Sequence, residues 1–147
     1  MNIFDIESRL RYARLSNFGN EVINAPFFTS SFGYKMRLHI FLDQEANGFT
    51  GHMGAYLHLM RSNHDEILHW PFNKRCTFSV IDQQDEQSCR KDHVKMIVPR
   101  GESMFNRPQR NENSQGFGFT SFISHANLRT RNYIRHRSVC IQVQIVP

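Results

Sequence analysis

Hydrophobic and polar residues alternate along several short stretches of the chain, which is the pattern of strands with one buried face. The clearest stretch runs from Phe32 to Leu42, and its apolar face carries Tyr34, Met36, Leu38, Ile40 and Leu42. Its other face carries Lys35, Arg37, His39 and Phe41. A second clear stretch near the end of the chain places aliphatic residues on one face, namely Val139, Ile141, Val143 and Ile145. Both stretches predict strands with one dry and one wet side.

Weaker alternation predicts further strands at 55–60, 76–82 and 93–98. Residues 67–72 predict an extended segment, in which Pro71 excludes a central strand position and Trp70 anchors the core. Residues 43–54 contain Asn47-Gly48 and two more glycines, so they predict a loop. Ser8 is a helix-capping residue type and predicts one helical stretch through about Leu15. Seven or eight short strands with little helix predict an all-β, antiparallel β-sandwich, formed as a single domain over residues 1–147.

The stretch from Gln115 to Phe122 predicts a strand that is suited to external contact. Phe117 and Phe119 share one face, while Gly116 and Gly118 leave room for another backbone or a flat ring to approach closely. A polar run enters this strand from Asn111, which indicates a loop before it. The partner is either a peptide or a nucleic acid. The alternative is an ordinary hairpin strand whose phenylalanines belong to the core.

Composition narrows the classes of protein without identifying one. The net charge is +5, and the basic residues are scattered, so acidic partners are permitted but not required. Cys76, Cys89 and Cys140 are widely spaced and form no C-x-x-C pair, which favours a reducing compartment over a disulfide framework. No apolar run has the length of a membrane helix, and no signal peptide is recognisable. We therefore expect a cytoplasmic protein.

Sequence signatures of catalysis and of metal binding are not found. The chain has eight histidines, and the nearest pairs are His64 with His69 and His52 with His58. Neither pair has the H-E-x-x-H arrangement or a tight zinc spacing, so no metal and no cofactor is predicted. No Gly-x-Ser-x-Gly nucleophile elbow occurs, and no local signature marks a catalytic cysteine. We expect a protein that is not an enzyme.

An RNA-binding domain is one functional alternative. Gly116-Phe117-Gly118-Phe119 followed by Phe122 imitates the aromatic strand of an RNA-recognition motif, whose rings stack on bases. However, Gln115 stands where that motif has Lys or Arg. The residues from Asp85 to Gln115 also lack the helical period that such a domain needs before this strand.

A second alternative covers nearly the whole chain. Phe28-Thr29-Ser30, Phe32-Gly33-Tyr34-Lys35-Met36, Trp70-Pro71-Phe72, Asp82-Gln83 and Phe105-Asn106-Arg107-Pro108 occur in that order. In sequence and separation these segments resemble the MATH (TRAF-C) domain of the tumour-necrosis-factor-receptor-associated factors. The resemblance implies an eight-stranded antiparallel β-sandwich, which agrees with the fold predicted from alternation. It also implies the function of a signalling adaptor.

By this resemblance, the domain binds short extended segments of receptor tails or adaptor proteins, of the form Pro-x-Glu-x-x-(aromatic or acidic), by adding them to an exposed strand edge. Gln115, Gly116, Phe117, Gly118 and Phe119 form that edge, and Met96 and Phe105 complete a pocket for the ligand proline together with the two strand phenylalanines. Backbone amides near Ser103 and Met104 hold the ligand glutamate. A longer parent is implied to be a homotrimer and to carry a ubiquitin-ligase RING module. No nucleic acid and no membrane insertion are expected.

Two positions depart from the family pattern. Glu102-Ser103-Met104 stands where other members have three serines. His39 stands, close to Phe41, where the family has an arginine that contacts the last ligand residue. An imidazole lacks the permanent charge and the forked donors of a guanidinium. We therefore expect a changed preference at that position of the ligand.

Overall fold

A computed structural model describes residues 1–15, 20–46 and 49–146. Its strands are β1 (Asn2–Ile3), β2 (Glu21–Ile23), β3 (Phe27–Phe28), β4 (Lys35–Ala46), β5 (Phe49–Met60), β6 (Arg75–Val80), β7 (His93–Ile97), β8 (Phe117–Ser124), β9 (Ile134–Arg135) and β10 (Ser138–Val146). Two α-helices, α1 (Ile6–Leu15) and α2 (His125–Leu128), flank them. Short 3-10 helices lie at Asp65–Ile67, Gln87–Cys89 and Ser103–Phe105.

The strands form two antiparallel sheets, which confirms the predicted β-sandwich. One sheet has the order β1-β10-β6-β7, and the other has the order β2-β4-β5-β8. The two-residue strands β9 and β3 extend these sheets by pairing with β10 and β4. One sheet therefore ends in β7, and the other ends in β8. Within the described ranges, no helix is long and apolar enough to cross a membrane.

The core lies between the two sheets and follows the alternation in the sequence. In β4 the buried apolar residues are Met36, Leu38, Ile40 and Leu42, and in β10 they are Val139 and Ile141. Aromatic rings fill the space between the layers, chiefly Phe72, Phe78, Phe105, Phe117 and Phe122. These rings remove large apolar areas from water, and this burial is the main favourable contribution to folding.

One predicted segment type was wrong. Residues 43–54 are not a loop, because β4 continues to Ala46 and β5 begins at Phe49. The Asn47-Gly48 turn itself lies outside the described residues. Register shifts between these strands interrupt the regular alternation, which hid the end of β4 and the beginning of β5 from sequence analysis. Residues 67–72 form no strand. Trp70 is half-buried there, donates from Nε1 to the Asp65 carbonyl at 2.8 Å, and packs edge-on against Tyr34, so it supports the core from one side.

A buried carboxylate fixes the end of β6 to the loop before β10. Asp82 is inaccessible to solvent, and its two oxygens accept hydrogen bonds from the Lys91 N–H, Gln84 Nε2, Arg131 Nε and the Asn132 N–H. Gln83 continues this network by donating to the carbonyls of Tyr133 and Ser138. The Asp82-Gln83 segment therefore holds three separate parts of the chain together.

Candidate functional site

Strand β8 has one edge that is only half covered. Its partner within the sheet is β5, and its other side lies next to β7 of the opposite sheet. Two side chains of β7 bridge the gap: His93 Nε2 lies 2.7 Å from the Phe122 carbonyl, and Lys95 Nζ lies 2.6 Å from the Ser121 carbonyl. Both contacts fall in the second half of β8. Among the described residues, no such bridge reaches Phe117 to Thr120.

The strand phenylalanines face the core, and the part of Phe117 in a pocket for the ligand proline stays a prediction. Phe117 is 2% exposed, and its ring packs against Phe105 at 4.8 Å and Phe72 at 5.9 Å. Phe105 is equally buried. Phe119 is half-buried, with its ring edge-on to Phe78 and the Lys95 ammonium 5.4 Å from its centre. Phe119 therefore stands at the border of the core, next to the uncovered edge.

The same orientation removes the basis for the RNA-binding alternative. A stacking platform needs rings on the solvent face of the sheet, whereas here the positions that alternate with Phe117 and Phe119 are Gly116, Gly118 and Thr120. The fold is also a sandwich of two antiparallel sheets and not the helix-backed sheet of an RNA-recognition motif.

The glycines of this strand have a structural explanation within the chain itself. A Cβ on Gly116 would lie 2.5 Å from His58 Nε2, and a Cβ on Gly118 would overlap the Ala55 carbonyl of β5. The space that these glycines leave is therefore occupied by His58 and by β5 of the same chain. Any side chain at either position would force its neighbours apart.

Further predicted site residues lie around the uncovered edge. Met96 is 49% exposed on β7, and Gln115 is exposed just before β8. Ser103 and Met104 begin a 3-10 helix, so their N–H groups have no acceptor within that helix. Asn113 links this helix to the segment that enters β8, because its Nδ2 donates to the carbonyls of Met104 and Asn106.

His39 and Phe41 lie on the outer face of β4, as alternation predicts, but His39 is buried there. Its ring is 7% exposed, because Glu21 and Glu112 cover it from two sides. His39 Nδ1 lies 2.6 Å from Glu21 Oε1, and Nε2 lies 2.9 Å from Glu112 Oε1. Both ring nitrogens are thus occupied, so contact with a ligand requires one carboxylate to move away. The role of His39 in ligand binding stays a prediction.

The environment of Cys76 makes it a poor nucleophile. Cys76 is buried in the core, and desolvation raises the pKa of its thiol to about 12. Because the thiolate is the reactive form, Cys76 is inert at neutral pH.

Comparisons with known proteins agree with this architecture. The family profile of the TRAF/meprin MATH domain matches residues 20–142. The chain is 30% identical over 128 residues to TNF receptor-associated factor 6 of Homo sapiens, covering 84% of this chain and 24% of that protein. It is 29% identical to TNF receptor-associated factor 6-A of Xenopus laevis, covering 84% of this chain and 23% of that protein. It is 30% identical to TNF receptor-associated factor 5 of Mus musculus, covering 84% and 22%.

The fold is also that of a solved structure, TRAF5 of Notothenia coriiceps. The TM-score is 0.87 at 23% sequence identity, and the match covers 99% of this chain and 71% of that chain. Two segments of the sequence, Gln115 to Phe122 and Asn127-Leu128-Arg129, resemble the sixth member of the TNF-receptor-associated factors. The matches to factor 6 agree with this resemblance. The chain spans about a quarter of the length of the curated relatives that it matches.

Proposed function

Since the chain belongs to the TRAF/meprin MATH domain family, we propose that it is the protein-interaction domain of a signalling adaptor and binds short extended segments of cytoplasmic receptor tails or adaptor proteins. The binding mode is β-augmentation, in which the ligand adds a strand to the sheet β2-β4-β5-β8. The relatives are named as factors associated with the TNF receptor. A longer parent would trimerise and place several such domains side by side.

The observation that carries this proposal is the uncovered first half of β8. An edge strand presents a row of unpaired N–H and C=O groups, which is a template for another extended backbone. From Phe117 to Thr120 this row is free of the β7 bridges that cover the Ser121 and Phe122 carbonyls. The ligand backbone would pair with this part of the edge.

Side chains near the edge would determine which ligand residues the domain prefers. Phe119 and the exposed Met96 would offer apolar surface to a proline, and the Lys95 ammonium lies 5.4 Å from the centre of the Phe119 ring. The N–H groups of Ser103 and Met104 would donate hydrogen bonds to an acidic residue two positions after that proline. Ligands of the form Pro-x-Glu-x-x-(aromatic or acidic) match this arrangement.

Backbone methylation tests the binding mode directly. An array of Pro-x-Glu peptides first identifies the tightest binder, and single N-methyl groups are then placed on each of its amides. In an antiparallel pair, alternate residues direct their N–H groups to the neighbouring strand. We therefore expect loss of affinity at every second amide and little change at the others. Uniform effects along the peptide, or no binding by any peptide of this form, would contradict strand addition.

Met96→Glu is expected to weaken the tightest peptide at least about tenfold, because a carboxylate replaces the apolar contact of the ligand proline and repels its glutamate. Val94→Glu is the matched control, since Val94 is 53% exposed on the same face of β7 and two residues away. Fluorescence anisotropy with a labelled peptide measures both affinities. Equal losses in the two variants would indicate a general charge effect and would exclude a Met96 pocket.

A further inference from the structure

Three potential metal ligands that are distant in sequence meet on the outer face of the sheet β2-β4-β5-β8. His39 lies on β4, His58 lies on β5, and Glu112 lies in the segment that precedes β8. The rings of His39 and His58 are 4.1 Å apart between centres. The ligand atoms of all three side chains lie within 4.8 Å of one another. We call these three residues the His-His-Glu cluster.

Strand register explains why they meet. Arg37 pairs with His58 and His39 pairs with Tyr56, so the two histidines are diagonal neighbours on one face. Glu112 reaches the same face because it forms a bridge with Met60 at the end of β5. The neighbouring amide of Asn113 donates to the Leu59 carbonyl at 2.9 Å and fixes this segment beside β5.

Hydrogen bonds fix which nitrogen of each ring is available. His58 Nδ1 lies 2.8 Å from the Asn113 carbonyl, which only accepts, so Nδ1 carries the proton and the lone pair is on Nε2. His39 Nδ1 lies 2.6 Å from Glu21 Oε1 and Nε2 lies 2.9 Å from Glu112 Oε1, so Nε2 is the nitrogen on the side of the cluster. Both rings therefore have the second hydrogen bond, to a carboxylate or a backbone carbonyl, that orients metal-bound histidines.

We propose that the His-His-Glu cluster binds a divalent transition metal, with Zn²⁺ as the best match. Two imidazole nitrogens and one carboxylate are a known ligand set for a zinc ion whose fourth position is open. Ligand distances of about 2.0–2.2 Å in tetrahedral geometry separate ligand atoms by about 3.3 Å. His39 Nε2 and Glu112 Oε1 lie 2.9 Å apart, so a small outward movement admits the ion between them.

The surrounding charges favour a cation. The carboxylates of Glu21 and Glu112 both lie against the imidazole of His39. The nearest opposing charge is Arg37, whose Nη1 is 4.0 Å from the other oxygen of Glu112. A bound ion would connect β4, β5 and the 111–113 segment, and would thereby stiffen the approach to β8.

Binding of ZnCl₂ and CoCl₂ to the chelator-stripped domain tests the proposal. We expect one Zn²⁺ per chain by isothermal titration calorimetry and a rise in the unfolding temperature that EDTA reverses. Co²⁺ should give d–d absorption without thiolate charge-transfer bands. Glu112→Gln and His58→Gln are each expected to lower Zn²⁺ affinity at least about tenfold, and Glu21→Gln, which removes one nearby negative charge and changes a supporting hydrogen bond, about tenfold.

Two matched variants control for other ligands. His69→Gln removes an exposed histidine outside the cluster, and Cys89→Ser removes the exposed thiol, so both should bind Zn²⁺ like the unmodified domain. Far-UV circular dichroism confirms that each variant is folded. Unchanged affinity in both Glu112→Gln and His58→Gln, or no binding by the unmodified domain, would overturn the proposal. These measurements use no peptide, so they are independent of the proposed adaptor function.

Discussion

Phe117→Ala is expected to lower the free energy of unfolding by about 3–5 kcal/mol, the usual cost of removing a buried phenyl ring. Phe117 lies between Phe72 and Phe105, and the neighbouring strands hold the backbone in place, so the cavity left by the ring cannot close easily. Denaturant unfolding followed by the fluorescence of the single tryptophan, Trp70, measures this change. An unchanged midpoint would show that the ring is not part of the core.

Phe4→Ala is the control for this experiment. It deletes the same side chain at an exposed position and should change stability by no more than about 0.5 kcal/mol. The comparison also affects how binding data are understood. Because Phe117→Ala changes stability, a loss of peptide binding in this variant does not by itself identify a peptide contact, so peptide contacts are better tested at Met96.

Asp82→Ala is expected to destabilise the domain by about 3 kcal/mol, because it leaves several donors without the buried acceptor that they share. Asp85→Ala is the control: Asp85 also pairs with an arginine, Arg135, at 2.8 Å, but its side chain is 86% exposed. Exposed ion pairs contribute little to stability, so this control should unfold close to the unmodified midpoint. Similar losses in both variants would show that burial at Asp82 has no special effect.

The contribution of Asp82 should also depend on pH in a defined range. Burial alone would raise the pKa of this carboxyl, but the hydrogen bonds from Arg131, Lys91, Gln84 and Asn132 outweigh it and lower the pKa to about 2. A lowered pKa means that the stabilisation is complete above the ordinary value of 3.8 and disappears as the pH falls through about 2. Urea unfolding of the unmodified domain and Asp82→Ala should therefore differ at pH 5 and converge near pH 2. A constant difference would contradict this assignment.

The sequence predicted those parts of the fold that depend on alternation along a single strand. The inward residues of β4 and β10 were identified correctly, because side chains on a strand alternate whatever its neighbours are. Register shifts hid the ends of β4 and β5, since a shift interrupts the period of two. Some of the segments on which the family resemblance rested stabilise the fold. Asp82-Gln83, for example, forms the buried hydrogen-bond network at the end of β6.

Candidate site residues were harder to predict, because alternation identifies a face but not what covers it. Phe117 and Phe119 share a face, yet only the packing of Phe105 and Phe72 shows that this face is the core at Phe117. His39 lies on the outer face as expected, but Glu21 and Glu112 come from distant parts of the chain and bury it. The His-His-Glu cluster escaped sequence analysis for the same reason: its ligands have no short spacing that a motif describes.

The two β7 side chains that bridge to β8 limit how much of the β8 edge an added strand could pair with. His93 and Lys95 occupy the Phe122 and Ser121 carbonyls, so only the first four of the eight residues of β8 can pair with an added strand. At about 3.3 Å per residue, this is a contact of about 13 Å. Such a stretch would accommodate a short linear motif. It would be too short for a long strand to pair with β8 along its whole length. The same bridges should also oppose edge-to-edge aggregation, because the side chains of His93 and Lys95 cover the second half of the β8 edge.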